Sequence, residues 1–306
     1  MEPNKLQGII PAVFTPMNDD CTLNGKQVKK LADALINNGV GGFFVAGTTG
    51  ETASLTIEER KQLAEWWREN TPSKIKLIIH VGNNALAYAK ELAEHAAYIK
   101  ADAISTVAPS YFKPAQLEDL IYYCRDIAEK GNGLPFYYYH IPSITGVSFK
   151  MIDFIKQAEQ TIPTFRGVKF TYEDLMDYRL SMAYQNGKFD MLFGRDEMLL
   201  SGLALGAKGA VGSTYNFAAP IYRQIIKAYN NGDMHKARSF QDLSIQLIQV
   251  LDRYGGTLTA GKSIMRMLGL DCGPCRLPLR TLNKEEEKDL EKELRDIGFF
   301  DHCIKT

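Results

Sequence analysis

Lys169 is the residue whose type and position most directly suggest chemistry. It lies within the stretch 165–171 (FRGVKFT), which otherwise has the apolar pattern of a buried β-strand. Strands of parallel sheets are covered on both faces, so an ammonium group inside one is either desolvated or faces a cavity. A lysine in such a place can act as a nucleophilic amine and form an imine with a ketone. The alternative, from this stretch alone, is a strand-end lysine whose ammonium group reaches solvent.

Further candidate groups follow other apolar runs of the chain. The motif GTTGE at 47–51 combines glycines that permit a tight turn with two hydroxyl groups and consecutive amides, which together suit a carboxylate. A glycine turn with a threonine cap is the structural alternative. The other candidates are tyrosine, hydroxyl, glycine and acidic residues at the ends of later runs: Ser110, Tyr111, Tyr139, Thr171, Gly194, Asp196, Glu197 and Ser213. Each has an ordinary explanation in packing or helix capping, but their convergence favours a site for imine chemistry.

The histidines and cysteines are interpreted as structural. His140 follows Tyr139 on a strand and therefore points to the opposite face, so we expect a histidine whose hydrogen bonds are satisfied, and the same holds for His80. The histidines lack H-x-x-x-H or H-E-x-x-H spacing, so no metal is predicted, and imine chemistry needs no other cofactor. The pair Cys272 and Cys275 (CGPC) is interpreted as a Gly/Pro turn rather than as half of a zinc site or a redox dithiol.

The elements that must position these residues alternate between strand and helix. Apolar, β-rich runs at 8–16, 42–48, 76–82, 103–109, 135–142, 165–171, 190–193 and 209–213 are each followed by a helical pattern, including 172–184 and a helix after Pro220. Eight such units predict a closed (β/α)8 TIM barrel with the active site at the carboxyl ends of the strands. An open doubly wound sheet is the alternative, but G-x-G-x-x-G is absent from the first turn. We predict one domain over 1–306, with a barrel core at 8–220 and a helical extension at 221–306 that includes helices near 233–253, 261–268 and 284–297.

Composition excludes some classes of partner. The 36 Lys and Arg residues equal the 36 Asp and Glu residues, so no basic field is available for nucleic acid or an anionic membrane. No apolar run approaches the length of a membrane span, and the first residues lack the apolar segment of a secretory signal. The expected location is the cytoplasm.

With these motifs in view, the chain resembles the pyruvate-dependent class I aldolases of the N-acetylneuraminate lyase and dihydrodipicolinate synthase superfamily. The similarity runs from Gly8 to about Leu282, and its most specific marks are GTTGE at 47–51, YYYHIP at 137–142 and GVKFT at 167–171. The resemblance implies that Lys169 is the Schiff-base lysine, that Tyr139 relays protons, and that Thr48 and Thr49 bind the pyruvate carboxylate.

Two marks favour the lyase branch. GSTYN at 212–216 and the run YYYHIPSITGV resemble the lyases, and Ile144 stands where the synthases usually have an arginine for the second substrate's carboxylate. The resemblance implies that sugar hydroxyls are bound by Thr171, Gly194, Asp196, Glu197 and Ser213. It also implies that Tyr111 reaches the relay of a neighbouring subunit in a homotetramer. Arg195 replaces a residue that is generally apolar in lyases, so it either alters polyol selectivity or points to solvent.

The function implied by this resemblance is the reversible aldol cleavage of a sialic acid to pyruvate and N-acetylmannosamine. Two alternatives remain open at this point. One is a class I aldolase of the same superfamily that acts on another 2-keto acid. The other is a non-catalytic barrel that binds keto acids or sialic acid.

Overall fold

Eight parallel strands form a barrel in the computed structural model, which describes residues 5–306. Successive strands from β2 to β8 pair with each other, and β8 also pairs with β1. Two backbone hydrogen bonds complete the circle between β1 and β2, from Gly41 N to Ile9 O at 2.9 Å and from Val13 N to Phe44 O at 3.1 Å. The predicted TIM barrel is therefore confirmed. The strands are β1 Gly8–Pro11, β2 Gly42–Val45, β3 Lys76–His80, β4 Ala103–Val107, β5 Phe136–His140, β6 Phe165–Phe170, β7 Asp190–Phe193 and β8 Gly209–Gly212.

Helices surround the barrel and continue beyond it. Two of them begin at capping boxes, Thr56 with Glu59 and Asn283 with Glu286, in which the side chain of each residue bonds to the backbone amide of the other. The helices are α1 Gly25–Asn37, α2 Ile57–Glu69, α3 Leu86–Tyr98, α4 Leu117–Lys130, α5 Pro142–Thr145, α6 Met151–Thr161, α7 Leu175–Ala183, α8 Leu199–Leu205, α9 Tyr215–Asn230, α10 Met234–Arg253, α11 Gly256–Met267 and α12 Lys284–Asp296. Within residues 5–306, no helix has an apolar stretch long enough to cross a bilayer.

Several element boundaries differ from those predicted. The first strand ends at Pro11 rather than at residue 16, and α7 begins at Leu175 because the side chain of Asp174 caps it by accepting from Asp177 N. The helix expected after Pro220 begins at Tyr215 instead. A kink at Ala218 (φ −119°, ψ 16°) relieves the clash that the proline ring would otherwise make with the preceding turn. The proposed division at 220 thus falls inside α9.

The interior of the barrel is filled near the amino ends of its strands. Tyr137 Oη donates to Asp190 Oδ2 at 2.7 Å, and Leu6 N donates to the same oxygen at 3.1 Å. Inward-facing apolar residues fill the space above them, among them Ile10, Phe44, Ile78, Ala103, Leu192 and Val211. Because this end is packed, a small molecule can reach the interior only at the carboxyl ends of the strands.

Candidate active site

Lys169 lies inside the barrel and is 4% exposed. It pairs in register with Tyr139 on β5, and its Nζ lies 3.8 Å from the centroid of the Tyr139 ring and 4.3 Å from that of Phe44. Among residues 5–306, no carboxylate forms an ion pair with this lysine, so aromatic faces supply its close contacts. The solvent-reaching alternative is therefore excluded. A primary amine with no ionic partner, at the accessible end of a barrel, is suited to attack a ketone.

Tyr139 belongs to an aromatic cluster that also contains Phe44 and His80. Its ring meets Phe44 at 5.8 Å and His80 at 6.3 Å between centroids, in edge-to-face geometry. Burial, followed by the nearby cations Arg60 and Lys169, holds the pKa of His80 well below 6.5, so its imidazole is neutral. The sequence did not single out Phe44 or assign His80 to the site. The strand alternation that places Ile78 inside the barrel would have placed His80 there too.

The two strand histidines differ from the expected satisfied type. His80 Nδ1 lies 3.0 Å from Ala46 O, but its buried Nε2 has no hydrogen-bond partner among the described residues. His140 points away from the barrel interior, as predicted, and packs against Phe170 and Tyr172. Both of its ring nitrogens lack a partner in the described chain, so the prediction that it is satisfied is wrong. Burial lowers the pKa of His140 to about 4 and keeps it neutral among these rings.

The GTTGE motif forms a strained turn after β2. Two non-glycine residues are left-handed, Ala46 just before the motif with φ 56° and Glu51 at its end with φ 57°, and each costs about 1–2 kcal/mol. Glu51 N donates to Thr48 O at 3.0 Å, and Thr15 Oγ1 donates to Gly50 O at 2.7 Å. Thr48 is half-buried and Thr49 is buried. The turn follows the carboxyl end of β2, which is the end of the barrel where the carboxylate site is predicted.

Unpaired polar atoms lie at the ends of β6 and β7. Thr171 Oγ1 is buried and has no hydrogen-bond partner within residues 5–306, and the same is true of Asp196 Oδ1. Gly194 allows this arrangement, because a β-carbon there would lie 2.0 Å from Thr171 Oγ1. Gly212 does the same for Asp196, with 1.7 Å to Oδ1. Buried polar atoms without partners are costly, so these oxygens are natural contacts for the hydroxyl groups of a ligand.

The other oxygen of Asp196 is held by Thr214, two residues after the end of β8. Oδ2 accepts from Thr214 N at 2.9 Å and from Thr214 Oγ1 at 2.6 Å. Burial raises the pKa of Asp196 to about 6 although the bonds to Thr214 oppose this. Thr214 thus orients Asp196. The sequence analysis included Thr214 only as part of GSTYN at 212–216 and predicted a binding role for the half-buried Ser213 next to it.

Arg195 is ion-paired on both sides. Its Nη1 lies 2.7 Å from Glu173 Oε1, and its Nε lies 2.9 Å from Glu197 Oε1. The alternative that Arg195 merely points to solvent is therefore wrong, although its side chain is about one-third exposed. Because one oxygen of Glu197 is engaged by the guanidinium, Arg195 fixes the carboxylate that is predicted to bind a sugar.

Tyr111 lies apart from this group. Its side chain is 79% exposed, and its ring contacts Phe112 edge-to-face at 5.0 Å. The convergence expected from the sequence therefore applies to the lysine, Tyr139, the GTTGE turn and the acidic and hydroxyl groups, but Tyr111 does not pack with them inside one chain. An exposed aromatic ring remains available to another subunit.

The CGPC segment lies in a loop outside the helices and strands, as the predicted turn requires. Cys272 and Cys275 are buried free thiols, and burial raises their pKa to about 12 and about 11. In the described part of the chain, no three His, Cys, Asp or Glu side chains are grouped so that they could hold a metal ion.

Comparison with known proteins decides the family. The model of the dihydrodipicolinate synthetase family matches residues 5–297. The chain belongs to this family. The resemblance based on GTTGE, YYYHIP and GVKFT is thereby confirmed.

Similar members of the dihydrodipicolinate synthetase family carry lyase names. An N-acetylneuraminate lyase of Xenopus tropicalis is 43% identical over 289 residues, which cover 93% of this chain and 94% of that protein. The structure of the N-acetylneuraminate lyase of Proteus mirabilis has 40% identity and a TM-score of 0.94, covering 97% of this chain and 100% of that one. The corresponding sialic acid aldolase of Aliivibrio salmonicida also has 40% identity and a TM-score of 0.94, with coverage of 97% and 98%.

Proposed function

We propose that this chain is a Schiff-base aldolase that cleaves N-acetylneuraminate reversibly to pyruvate and N-acetylmannosamine. The observation that carries the proposal is the buried amine of Lys169, 3.8 Å from the Tyr139 ring, within a barrel that is packed below it. The names of similar proteins at about two-fifths identity over nearly the whole chain support the choice of substrate.

The first step is imine formation. The amine of Lys169 attacks the C2 ketone of the open-chain sugar, and water leaves as the C=N bond forms. Thr48 and Thr49 hold the C1 carboxylate with their hydroxyl groups and the adjacent amides. This anchoring fixes the ketone against the amine, which is the positioning that makes an intramolecular attack fast.

The second step breaks the C3–C4 bond. Tyr139 relays the proton of the C4 hydroxyl group: its phenol oxygen accepts that proton as its own proton passes to the C1 carboxylate of the substrate, and the electrons left on the C4 oxygen form the aldehyde of N-acetylmannosamine. The electron pair of the broken bond moves to the protonated imine and gives an enamine. A proton then returns to C3, and water hydrolyses the imine to release pyruvate and free Lys169. No oxidation or reduction is involved, so protons and electrons balance within the substrate, water and these side chains.

The polyol chain occupies the ends of β6, β7 and β8. Thr171 Oγ1 and Asp196 Oδ1 are buried without partners and can accept or donate hydrogen bonds with sugar hydroxyl groups. Glu197, held by Arg195, and the half-buried Ser213 complete this surface, and Gly194 provides the space beside Thr171.

A cleavage assay tests the substrate. We expect pyruvate release from N-acetylneuraminate to exceed release from other keto-deoxy sugar acids, and no condensation of pyruvate with aspartate semialdehyde. Ile144, 56% exposed, has no guanidinium group to bind the carboxylate of that second substrate. Preferential turnover of another 2-keto acid would overturn the substrate assignment, and binding without turnover would favour a non-catalytic barrel.

We further propose a cytoplasmic homotetramer. The exposed pair Tyr111 and Phe112 offers an aromatic surface that another subunit would cover, and Tyr111 would then reach a neighbouring relay. The five cysteines are free thiols, which suits a reducing compartment. Light scattering of the purified protein tests the assembly, and a monomer in solution would refute it.

A further inference from the structure

A buried ion pair lies directly behind the proposed carboxylate site. Lys262 Nζ, from α11, lies 2.6 Å from Glu51 Oε1, and the two side chains are 3% and 0% exposed. Glu51 is the last residue of the GTTGE motif, and Lys262 belongs to the helical extension beyond the barrel. A charge pair withdrawn this completely from water needs further polar contacts to be stable.

Those contacts come from the CGPC loop. Lys262 Nζ donates to Pro274 O at 2.7 Å, and Arg276 N donates to Glu51 Oε2 at 2.9 Å. Arg276 also pairs with Glu59 and donates to Cys21 O and Ser54 O, both at 2.8 Å. The loop that was predicted to be an incidental turn, together with the Arg276 that follows it, is therefore bonded to Glu51 and to Ser54 and Glu59 further along the chain.

The turn needs such support because its backbone is strained. Ala46 and Glu51, on either side of the two threonines, both have left-handed backbone angles without being glycine. A non-glycine residue keeps this conformation only where its surroundings impose it. Of the two strained residues, Glu51 is the nearer to Thr49. Its conformation is fixed by the contacts that its carboxylate makes with Lys262 and Arg276.

We propose that Lys262 and Glu51 are positioning residues for the carboxylate site, so that the C-terminal extension forms part of the active site. The inference rests on the proposed function, because it assumes that Thr48 and Thr49 bind the C1 carboxylate. Lys262 holds Glu51, and Glu51 holds the turn on which both hydroxyl groups and the adjacent amides are aligned. Neither residue needs to touch the substrate.

The test compares two ketones that differ only in the carboxylate. Borohydride reduction of the Lys169 imine is measured against the concentration of pyruvate and, separately, of acetone. In Lys262→Met we expect the half-saturating concentration of pyruvate to rise about 10- to 100-fold, since a displacement of about 1 Å in a positioned site has effects of that size. Trapping by acetone should stay within about twofold, because acetone does not use the turn.

Two further variants keep the test decisive. Glu51→Gln combined with Lys262→Met leaves no unpaired buried charge, so it allows folding even if the single variant does not, and it should show the same selective loss for pyruvate. Arg266→Met is the matched control: it lies on the same helix but pairs with Asp271 and Glu287, and its pyruvate curve should not move.

Three results would overturn the inference. Equal losses for pyruvate and acetone in the double variant would indicate general damage to the barrel, and an unchanged pyruvate curve would show that the turn is held without the pair. If the unaltered chain traps neither ketone, the proposed function itself fails and this inference fails with it. Trapping of pyruvate by the unaltered chain separates these two failures. If the unaltered chain traps pyruvate normally, an unchanged curve in the variants refutes only the role of the ion pair, and a shifted curve supports it.

Discussion

The buried carboxyl group of Asp196 opposes folding at neutral pH, and Asp196→Asn removes that opposition. The residue is only 4% exposed, and burial raises the pKa of its carboxyl group from 3.8 to about 6. The folded state therefore binds this proton more tightly than the unfolded chain does. Stability consequently falls as the pH rises from about 4 through about 6, and from about pH 7 upward nearly the whole penalty, about 3 kcal/mol, is present.

The part of this penalty that can be measured lies between pH 5 and pH 8. At pH 5, one unit below the folded-state pKa of about 6, protonation of Asp196 stabilises the fold by about 1.4 kcal/mol relative to pH 8. An asparagine keeps an acceptor for the Thr214 bonds but does not titrate. The free energy of unfolding of Asp196→Asn, measured relative to that of the unaltered chain, should therefore be about 1.4 kcal/mol higher at pH 8 than at pH 5.

Urea unfolding of both proteins at equal concentration, at several pH values from 5 to 8, measures the difference. The difference between the two proteins matters rather than either curve, because other groups titrate equally in both and any assembly contributes equally. Asp33→Asn, at an exposed carboxylate paired with Lys29, is the control and should change stability by less than about 0.5 kcal/mol at every pH. A difference between Asp196→Asn and the unaltered chain that does not vary with pH would refute the assignment of a buried, titrating carboxyl group.

Three further substitutions test the proposed roles, and a fourth serves as the control for the last of them. Tyr139→Phe removes the hydroxyl group that moves the C4 proton, so turnover should fall by about 100-fold or more while borohydride trapping of pyruvate continues; an unchanged turnover number would exclude this tyrosine from the relay. Thr48→Val removes a hydrogen bond to the C1 carboxylate, which should raise KM about 10-fold, and an unaltered KM would place that carboxylate elsewhere. Arg195→Val breaks both ion pairs of the guanidinium and should change the kcat/KM ratio between N-acetylneuraminate and a shorter keto acid about fivefold or more. Glu173→Gln, which leaves the second pair intact, should change that ratio less, and equal ratios in all three proteins would exclude a role in selectivity.

The sequence predicted those features that depend on local pattern. The groups that follow the other apolar runs favoured an interior position for Lys169, and the structure places it there. Its strand neighbour Phe170 lies on the opposite face and packs against Tyr178 of α7. Eight apolar runs with helices between them were enough for the closed barrel, because parallel strands need such crossovers.

Features set by distant partners could not be predicted in this way. Glu51 and Arg276 are 225 positions apart, and nothing in either local pattern indicates that they are bonded. The two ion pairs of Arg195 likewise depend on how neighbouring loops pack at the barrel mouth. His140 was expected to have hydrogen-bond partners because buried polar groups usually do, yet its surroundings are aromatic rings.

Borohydride trapping on Lys169 tests the central claim most directly. Incubation with pyruvate and borohydride, followed by digestion and mass spectrometry, should locate one reduced pyruvyl group on the peptide that contains Lys169. Lys169→Ala should show neither this modification nor cleavage of N-acetylneuraminate, while its barrel remains folded by circular dichroism. Cleavage by Lys169→Ala at the unaltered rate, or pyruvate attached to a different lysine, would contradict the account.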